Sequence, residues 1–333
     1  MLGERFEREL REQPDVWRRI ADSPLAAHLA AALRDRQDVV LVGSGSSLFV
    51  AMLGALAFRR RGVRAAAIAA TEAAFERGVY RGRTVIALSQ SGRSTDVLHA
   101  IDVLEPTRLV AITNDSSAPL AERADVLIDI AAGPETAVPA TKSVTAMVAL
   151  LLWAAAIVRG PSDRGPETLA RTAGDVATWL ADAGASADID RAAERIALRR
   201  SIAVVGAGYG VPIAAELALK IKESTYVHAE GFAAGEFRHG SVAMLDASTV
   251  LIGVVDAASR DIVRRPLTEA ARTDSLRYTI GESVDDLPRL GPMTGEAFNA
   301  LAWLVTGQLL ALAIGRHRGI DGDVPRGLSK FVI

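Results

Sequence analysis

The sequence predicts an α/β protein of two doubly wound parallel sheets. Three observations carry this. Short apolar strands alternate with Gly- or Ser-rich turns and helices. The pattern restarts near residue 200: VVLVGSGSS at 39–47 and IAVVGAGYG at 202–210 head two similar halves, the mark of an internal duplication. The chain has 333 residues, half of them hydrophobic, enough for two domains or one large one with a sizeable core.

In order, residues 4–35 read as one or two amphipathic helices broken at Pro14 and Pro24. A strand at 38–42 enters GSGSS and a helix to about Arg60, and 64–69 is a second strand. The strand 84–88 enters SQSGRS and a helix at 95–104; strands at 108–113 and 126–130 complete a set of five, and 141–158 is a long apolar helix. GPSDRG at 160–165 reads as a linker, followed by helices at 166–183 and 187–197. The second half runs strand 201–205, GAGYG, a helix carrying Glu216 to Glu223, a polar glycine-broken loop to Gly240, strands at 249–255 and 276–280, and a helix at 296–315. The expected organisation is N-terminal helices (1–34), a first domain (35–160), a second (161–321) and an irregular tail (322–333).

Composition narrows the function. The formal charge is −2, without the basic surplus of a nucleic-acid binder. Cysteine is absent, which removes disulfides, thiolate metal sites and cysteine nucleophiles together. The N-terminus is charged from residue 4, and the longest purely apolar run, 146–158, is too short to span a bilayer, so no membrane association and a cytoplasmic location are expected. Of 38 basic residues only four are lysine: Lys142, Lys220, Lys222 and Lys330. A site that keeps lysine in an arginine-rich chain can need a compact ammonium, a tunable pKa or an amine able to attack a carbonyl.

Ser89, Gln90, Ser91, Gly92, Arg93 and Ser94 stand between an apolar strand and a helix. Ligands of open α/β sheets bind at the carboxyl ends of strands, and a helix N-terminus offers unpaired N–H groups to an anion. The competing reading is an ordinary turn with Ser94 as helix cap; one serine would suffice for that, and the cluster favours a phosphate. GSGSS, with Ser46 and Ser47, has the same context, and neither glycine turn carries a proper GxGxxG, which excludes a dinucleotide fingerprint. In GPETAVPATKS, Thr141 is a plausible cap, and Lys142 in a first helical turn opposes the dipole, so it is either specifically partnered or simply exposed.

Glu216, Lys220 and Glu223 are spaced i, i+4 and i+7, on one helical face. A carboxylate there can shuttle a proton between adjacent sugar carbons, while Lys220 on helix geometry alone reads as an ion-pair partner. His239 in EFRHG could protonate a ring oxygen or be structural, and Lys330 would ordinarily be a tail residue. No His/Asp/Glu set has metal-ligand spacing, so neither metal nor cofactor is expected.

Together GSGSS, SQSGRS, GPETAVPATKS, ELALKIKESTYVHAEGFAAGEFRHG and the tail PRGLSK resemble the SIS (sugar isomerase) family over residues 35–333. Within it they are most similar to the double-domain isomerase half of glucosamine-6-phosphate synthase and to stand-alone glucosamine-6-phosphate deaminases. The resemblance implies two flavodoxin-like three-layer SIS domains, each a five-stranded parallel sheet flanked by helices, with the tail closing the active site. It implies that Ser46, Ser47, Ser89, Gln90, Ser91 and Ser94 hold the substrate phosphate and that Val138 lines the sugar. It further implies that Glu223 moves a proton between C1 and C2, that His239 opens the ring from a neighbouring subunit of a homodimer or larger assembly, and that Lys330 can form a Schiff base with a ketose. Glu216 and Lys220 match helix residues of the site. Arg93 stands where the synthase usually has Glu, Ser94 replaces Thr, and EFRHG replaces ELKHG; SQSGRS and LSK lean toward the deaminases.

The absence of cysteine, with about 35 residues before the first strand, sets the expectation of no glutaminase activity and of the deaminating direction, glucosamine 6-phosphate to fructose 6-phosphate and ammonia. The competing readings are a deglycase of fructose-amino acid 6-phosphates and a non-catalytic sugar-phosphate sensor.

Overall fold

The computed structural model describes residues 2–35, 38–160, 165–294 and 298–330. Residues 161–164 of the expected linker, 295–297 ahead of the last helix and 331–333 of the tail lie outside the described residues. In chain order the elements are α1 (Glu4–Arg11), α2 (Gln13–Ala21), α3 (Leu25–Leu33), β1 (Asp38–Gly43), α4 (Ser46–Arg59), β2 (Arg64–Ala69), α5 (Ala73–Tyr80), β3 (Thr84–Leu88), α6 (Thr95–Leu104), β4 (Arg108–Thr113), α7 (Pro119–Glu122), β5 (Val126–Asp129) and α8 (Lys142–Ile157). They continue with α9 (Gly165–Ala181), α10 (Ala183–Ala197), β6 (Ser201–Gly206), α11 (Gly210–Thr225), β7 (His228–Ala233), α12 (Ala234–Phe237), β8 (Thr249–Val255), α13 (Arg260–Glu269), β9 (Leu276–Gly281), β10 (Arg289–Leu290) and α14 (Asn299–His317).

The chain divides into two compact units, each assembled from three separate segments. One comprises residues 15–135, 142–170 and 329–333; the other comprises 1–14, 136–141 and 171–328. The N-terminal helices and the tail are thus shared out between the units rather than standing apart from them.

The first of these units holds a parallel sheet of order β2-β1-β3-β4-β5. Its strands read as continuous apolar runs because helices cover both faces: β3 is buried at all five positions. On one side α4 packs against β1, β2 and α8. A second apolar cluster joins Val40, Val85 and Ala111 to Val97, Ile101 and Leu104 of α6.

The other unit has the order β10-β9-β8-β6-β7, likewise parallel throughout. Counted from its own first strand this is the same winding, so the repeat visible in the sequence is a repeat of topology. The turns that open the two halves share one steric device. A Cβ on Gly43 would sit 2.6 Å from the Ser47 backbone, and one on Gly206 would sit 2.2 Å from the Gly210 carbonyl. Only glycine lets the strand end come this close to the helix that follows.

Several local expectations are corrected. Pro14 does not break a helix: it is the second residue of α2, where its missing N–H costs nothing, and the break is at Glu12. The supposed loop after α11 contains an edge strand, β7, and a short helix, α12. Strand β10 is an edge pair of only two residues on β9.

Candidate active site

Both serine turns lie at the carboxyl ends of β1 and β3, where the winding order reverses, the usual ligand position of such sheets. In the SQSGRS turn, the Gly92 N–H donates to Ser89 Oγ at 3.1 Å and the Arg93 N–H to Ser91 Oγ at 3.2 Å. A hydroxyl that accepts retains its own hydrogen for another acceptor. Gly92 has φ +62°, and a Cβ there would lie 2.6 Å from that of Ala118, so the turn requires glycine. Ser94 occupies the cap position of α6, yet its side chain makes no capping hydrogen bond. The bland capping reading of that serine is therefore not realised.

Arg93 pairs with Asp115 at 2.8 Å. The Ser117 hydroxyl and amide, and then Arg93, hold the Asp115 carboxyl down at about 2. The guanidinium is thus committed to a carboxylate beside the turn.

In the GSGSS turn, Ser46 and Ser47 are the first two residues of the fourteen-residue α4, with half-buried side chains. Ser44, which sequence reasoning passed over, has a buried Oγ with no hydrogen-bond partner in the protein. A hydroxyl left so in a helix-entry turn is suited to a ligand. The signal was available: it is the first serine of the same motif.

The opposite end of this sheet also has a cavity, of about 530 Å³, at the amino ends of β1 and β2. Its polar groups satisfy one another. Asp38 takes Arg64 at 2.6 Å and Arg83 at 2.8 Å, and Arg59 donates to the Ala65 carbonyl.

The GPETAVPATKS segment resolves the question over Lys142. It is buried at the start of α8, not exposed. Glu135 is also buried; its carboxylate accepts the Ser143 N–H at 3.2 Å and the Ser143 hydroxyl at 2.6 Å. Lys330 is drawn in rather than free in solvent, its Nζ 3.5 Å from Glu135 Oε2 and its side chain only 16 % exposed. Val138 is half-buried and donates its N–H to the Asp323 carbonyl at 3.1 Å, which ties this segment to residues near the tail.

The helix α11 carries the acid–base candidates. It packs on β6, β7 and α14, and its carboxylate face is largely withdrawn from solvent. Lys220, 1 % exposed, sets its Nζ 2.6 Å from Glu223 Oε2 and 3.7 Å from Glu216 Oε1. Glu216 is buried, whereas Glu223 keeps 18 % of its side chain open. One ammonium thus serves two carboxylates, and only the second reaches solvent. Burying three charges is costly unless they are paired, and even a paired set is a weak source of stability.

The rest of that charged stretch does not converge. His228 and Glu230 sit exposed on the edge strand β7, 3.7 Å apart. Arg238 pairs with Glu269 at 2.6 Å, and Glu236 and His239 are exposed around the end of α12. Tyr226, just past α11, accepts the Arg326 N–H at 2.7 Å, and the Arg326 guanidinium lies 4.3 Å over its ring.

Among the described residues no group of three His, Asp or Glu could hold a metal ion, and no helix is long and apolar enough to cross a membrane.

Comparison with known proteins gives a concordant picture. The SIS domain model matches residues 32–157 and 195–265. The isomerizing glutamine–fructose-6-phosphate aminotransferase of Sulfolobus acidocaldarius is 29% identical over 321 residues, 94% of this chain and 53% of that protein. The chain spans about half the length of the curated relatives it matches. The C-terminal domain of glucosamine-fructose-6-phosphate aminotransferase from Francisella tularensis superposes with a TM-score of 0.83 at 22% identity, covering 97% of this chain and 98% of that one. Glucosamine-6-phosphate deaminase from Thermotoga maritima superposes with a TM-score of 0.82 at 23% identity, covering 99% of each chain. These two likenesses bear on the fold. Since the family match takes in well over half of the chain, on the two parallel sheets described above, the chain belongs to the SIS domain family.

Proposed function

We propose that this protein is an amino-sugar-phosphate isomerase that works as a deaminase, converting glucosamine 6-phosphate to fructose 6-phosphate and ammonia. The observation that carries the reading is the buried Glu216–Lys220–Glu223 set, in which a carboxylate at the edge of solvent is held by an internal ammonium. Such an arrangement suits a base that must take a proton from carbon and return it.

The roles follow. The serines of the two turns, with Gln90, hold the phosphate, and Val138 borders the sugar. His239 assists ring opening; its exposure fits a residue used by a neighbouring subunit of a dimer. Glu223 takes the proton from C2 of the open aldose, O1 takes one from the substrate's own C2 ammonium, and Glu223 returns its proton to C1 of the resulting enaminol. The product carries a C2 imine, which water hydrolyses to the ketose and ammonia. Lys220 holds and orients Glu223 between the two transfers. Lys330 is the amine that can condense with the ketose carbonyl, and Glu135 holds it ready. The fold is one that a glucosamine-6-phosphate deaminase uses, and the names of the aminotransferase relatives carry the isomerising step that this reading shares with them.

Incubation with glucosamine 6-phosphate should release ammonia and fructose 6-phosphate in equal amounts. Release of amino acid from a fructose-amino acid 6-phosphate, with no ammonia from glucosamine 6-phosphate, would replace the deaminase with a deglycase. Binding of sugar phosphate without turnover of either would leave a sensor.

A further inference from the structure

The N-terminal helix is wired to the segment that contains Val138. Glu9, on α1, is 1 % exposed. Its Oε1 accepts the Thr136 N–H at 2.5 Å and the Thr136 hydroxyl at 2.8 Å, and its Oε2 accepts the Ala137 N–H at 3.2 Å. The next amide, of Val138, donates to the Asp323 carbonyl at 3.1 Å. Three consecutive backbone amides are thus fixed by two residues that are remote in sequence.

Asp323 closes the circuit. Its carboxylate accepts the N–H groups of Arg5 at 3.0 Å and Phe6 at 2.7 Å, in the first turn of α1. Asp321 takes the Gly3 N–H at 2.9 Å just ahead of them. The ring therefore runs from the segment to Glu9, along α1 to Asp323, and back to the segment. A carboxylate accepting several N–H groups in a dry site is a strong and directional anchor. An apolar contact would fill the same space without fixing each amide.

We infer that Glu9 and Asp323 are positioning residues that set where Val138 meets the sugar. The inference rests on the function proposed above, in which Val138 borders the substrate. The ring does not include the serine turns, so it predicts a split effect: sugar recognition changes while phosphate recognition does not.

The test uses the full chain and three variants, Glu9→Gln, Asp323→Asn and Thr136→Val. Glu9→Gln keeps the size of the side chain but sets an amide NH₂ against N–H donors. Thr136→Val removes one hydroxyl from the same anchor and guards against a Glu9 variant that fails to fold. The readouts are the KM and kcat for glucosamine 6-phosphate, fructose 6-phosphate affinity by calorimetry, and the inhibition constant of inorganic phosphate. Glu9→Gln and Asp323→Asn should raise KM and weaken fructose 6-phosphate binding about tenfold, and Thr136→Val two- to threefold, with inorganic phosphate unchanged within twofold. Unchanged sugar-phosphate affinity in folded variants would overturn the positioning role. A parallel loss of inorganic phosphate binding would also overturn it, by revealing a general structural defect. Wild-type protein that binds no sugar phosphate would sink the proposed function itself, which is a different failure from variants that match a binding wild type.

Discussion

Lys220 Nζ lies 2.6 Å from Glu223 Oε2, inside a helix face that the i, i+4, i+7 spacing alone would assign equally well to solvent. Burial decides between the two readings. A solvated ion pair of this kind contributes only about 0.3–0.5 kcal/mol. A buried one is a commitment: removing its cation leaves carboxylates without compensation.

Lys220→Met should therefore destabilise the protein by about 3–5 kcal/mol, toward the lower end because Glu223 is 18 % exposed. Urea unfolding measures it. The double variant Glu216→Gln/Lys220→Met should recover part of the loss, since one stranded charge is gone. A single variant as stable as wild type would show that the ammonium is not needed in the folded state.

Glu223→Gln should abolish the proposed deamination while leaving fructose 6-phosphate affinity within a few-fold of wild type. The amide preserves size and removes the base. Steady-state kinetics and calorimetry on the same preparation separate the two effects, and surviving turnover would place the base elsewhere.

Gly92→Ala should disturb the SQSGRS turn, which is proposed to hold the phosphate. The residue has φ +62°, and its new Cβ would meet Ala118 at 2.6 Å. Strain of this kind costs about 1–3 kcal/mol. Inorganic phosphate should inhibit the variant more weakly than wild type, and equal inhibition would argue that the turn does not hold the anion.

The Arg93–Asp115 pair has a defined acid limit. Asp115 titrates at about 2 in the folded protein against an ordinary value of 3.8. Its folded value is lowered, so the stabilisation is complete above 3.8 and is lost as pH falls toward 2. Carboxyl carbon NMR should find Asp115 still ionised at pH 3. Ser117 is the larger cause and Arg93 the smaller, so Ser117→Ala should raise the midpoint more than Arg93→Gln. The reverse order would assign the shift to the guanidinium.

Much of the fold was legible because buried parallel strands announce themselves as uninterrupted apolar runs. The bounds of β2, β3, β4, β8 and α6 are those read from sequence. Strand β7, HAEGFA, was not legible: it is an edge strand with only Ala229 buried, so neither alternation nor a continuous run marks it. The serine turns stood out as clusters too polar for capping alone. Lys142 could not be placed, because an unfavourable dipole position demands a partner without saying whether water is excluded. Glu9 was invisible, since a glutamate in an amphipathic helix reads as solvent-facing and its partners lie 127 and 128 residues away.

The stitching of α1 to Asp321 and Asp323 also has a consequence for biosynthesis. Gly3 and its partner Asp321 are 318 residues apart. At about 5–20 residues per second, the ribosome completes that separation roughly 15–60 s after the helix has been made. An eight-residue helix does not persist alone in water for want of cooperativity. Residues 3–11 must therefore wait as unstructured chain until Asp321 and Asp323 have been made.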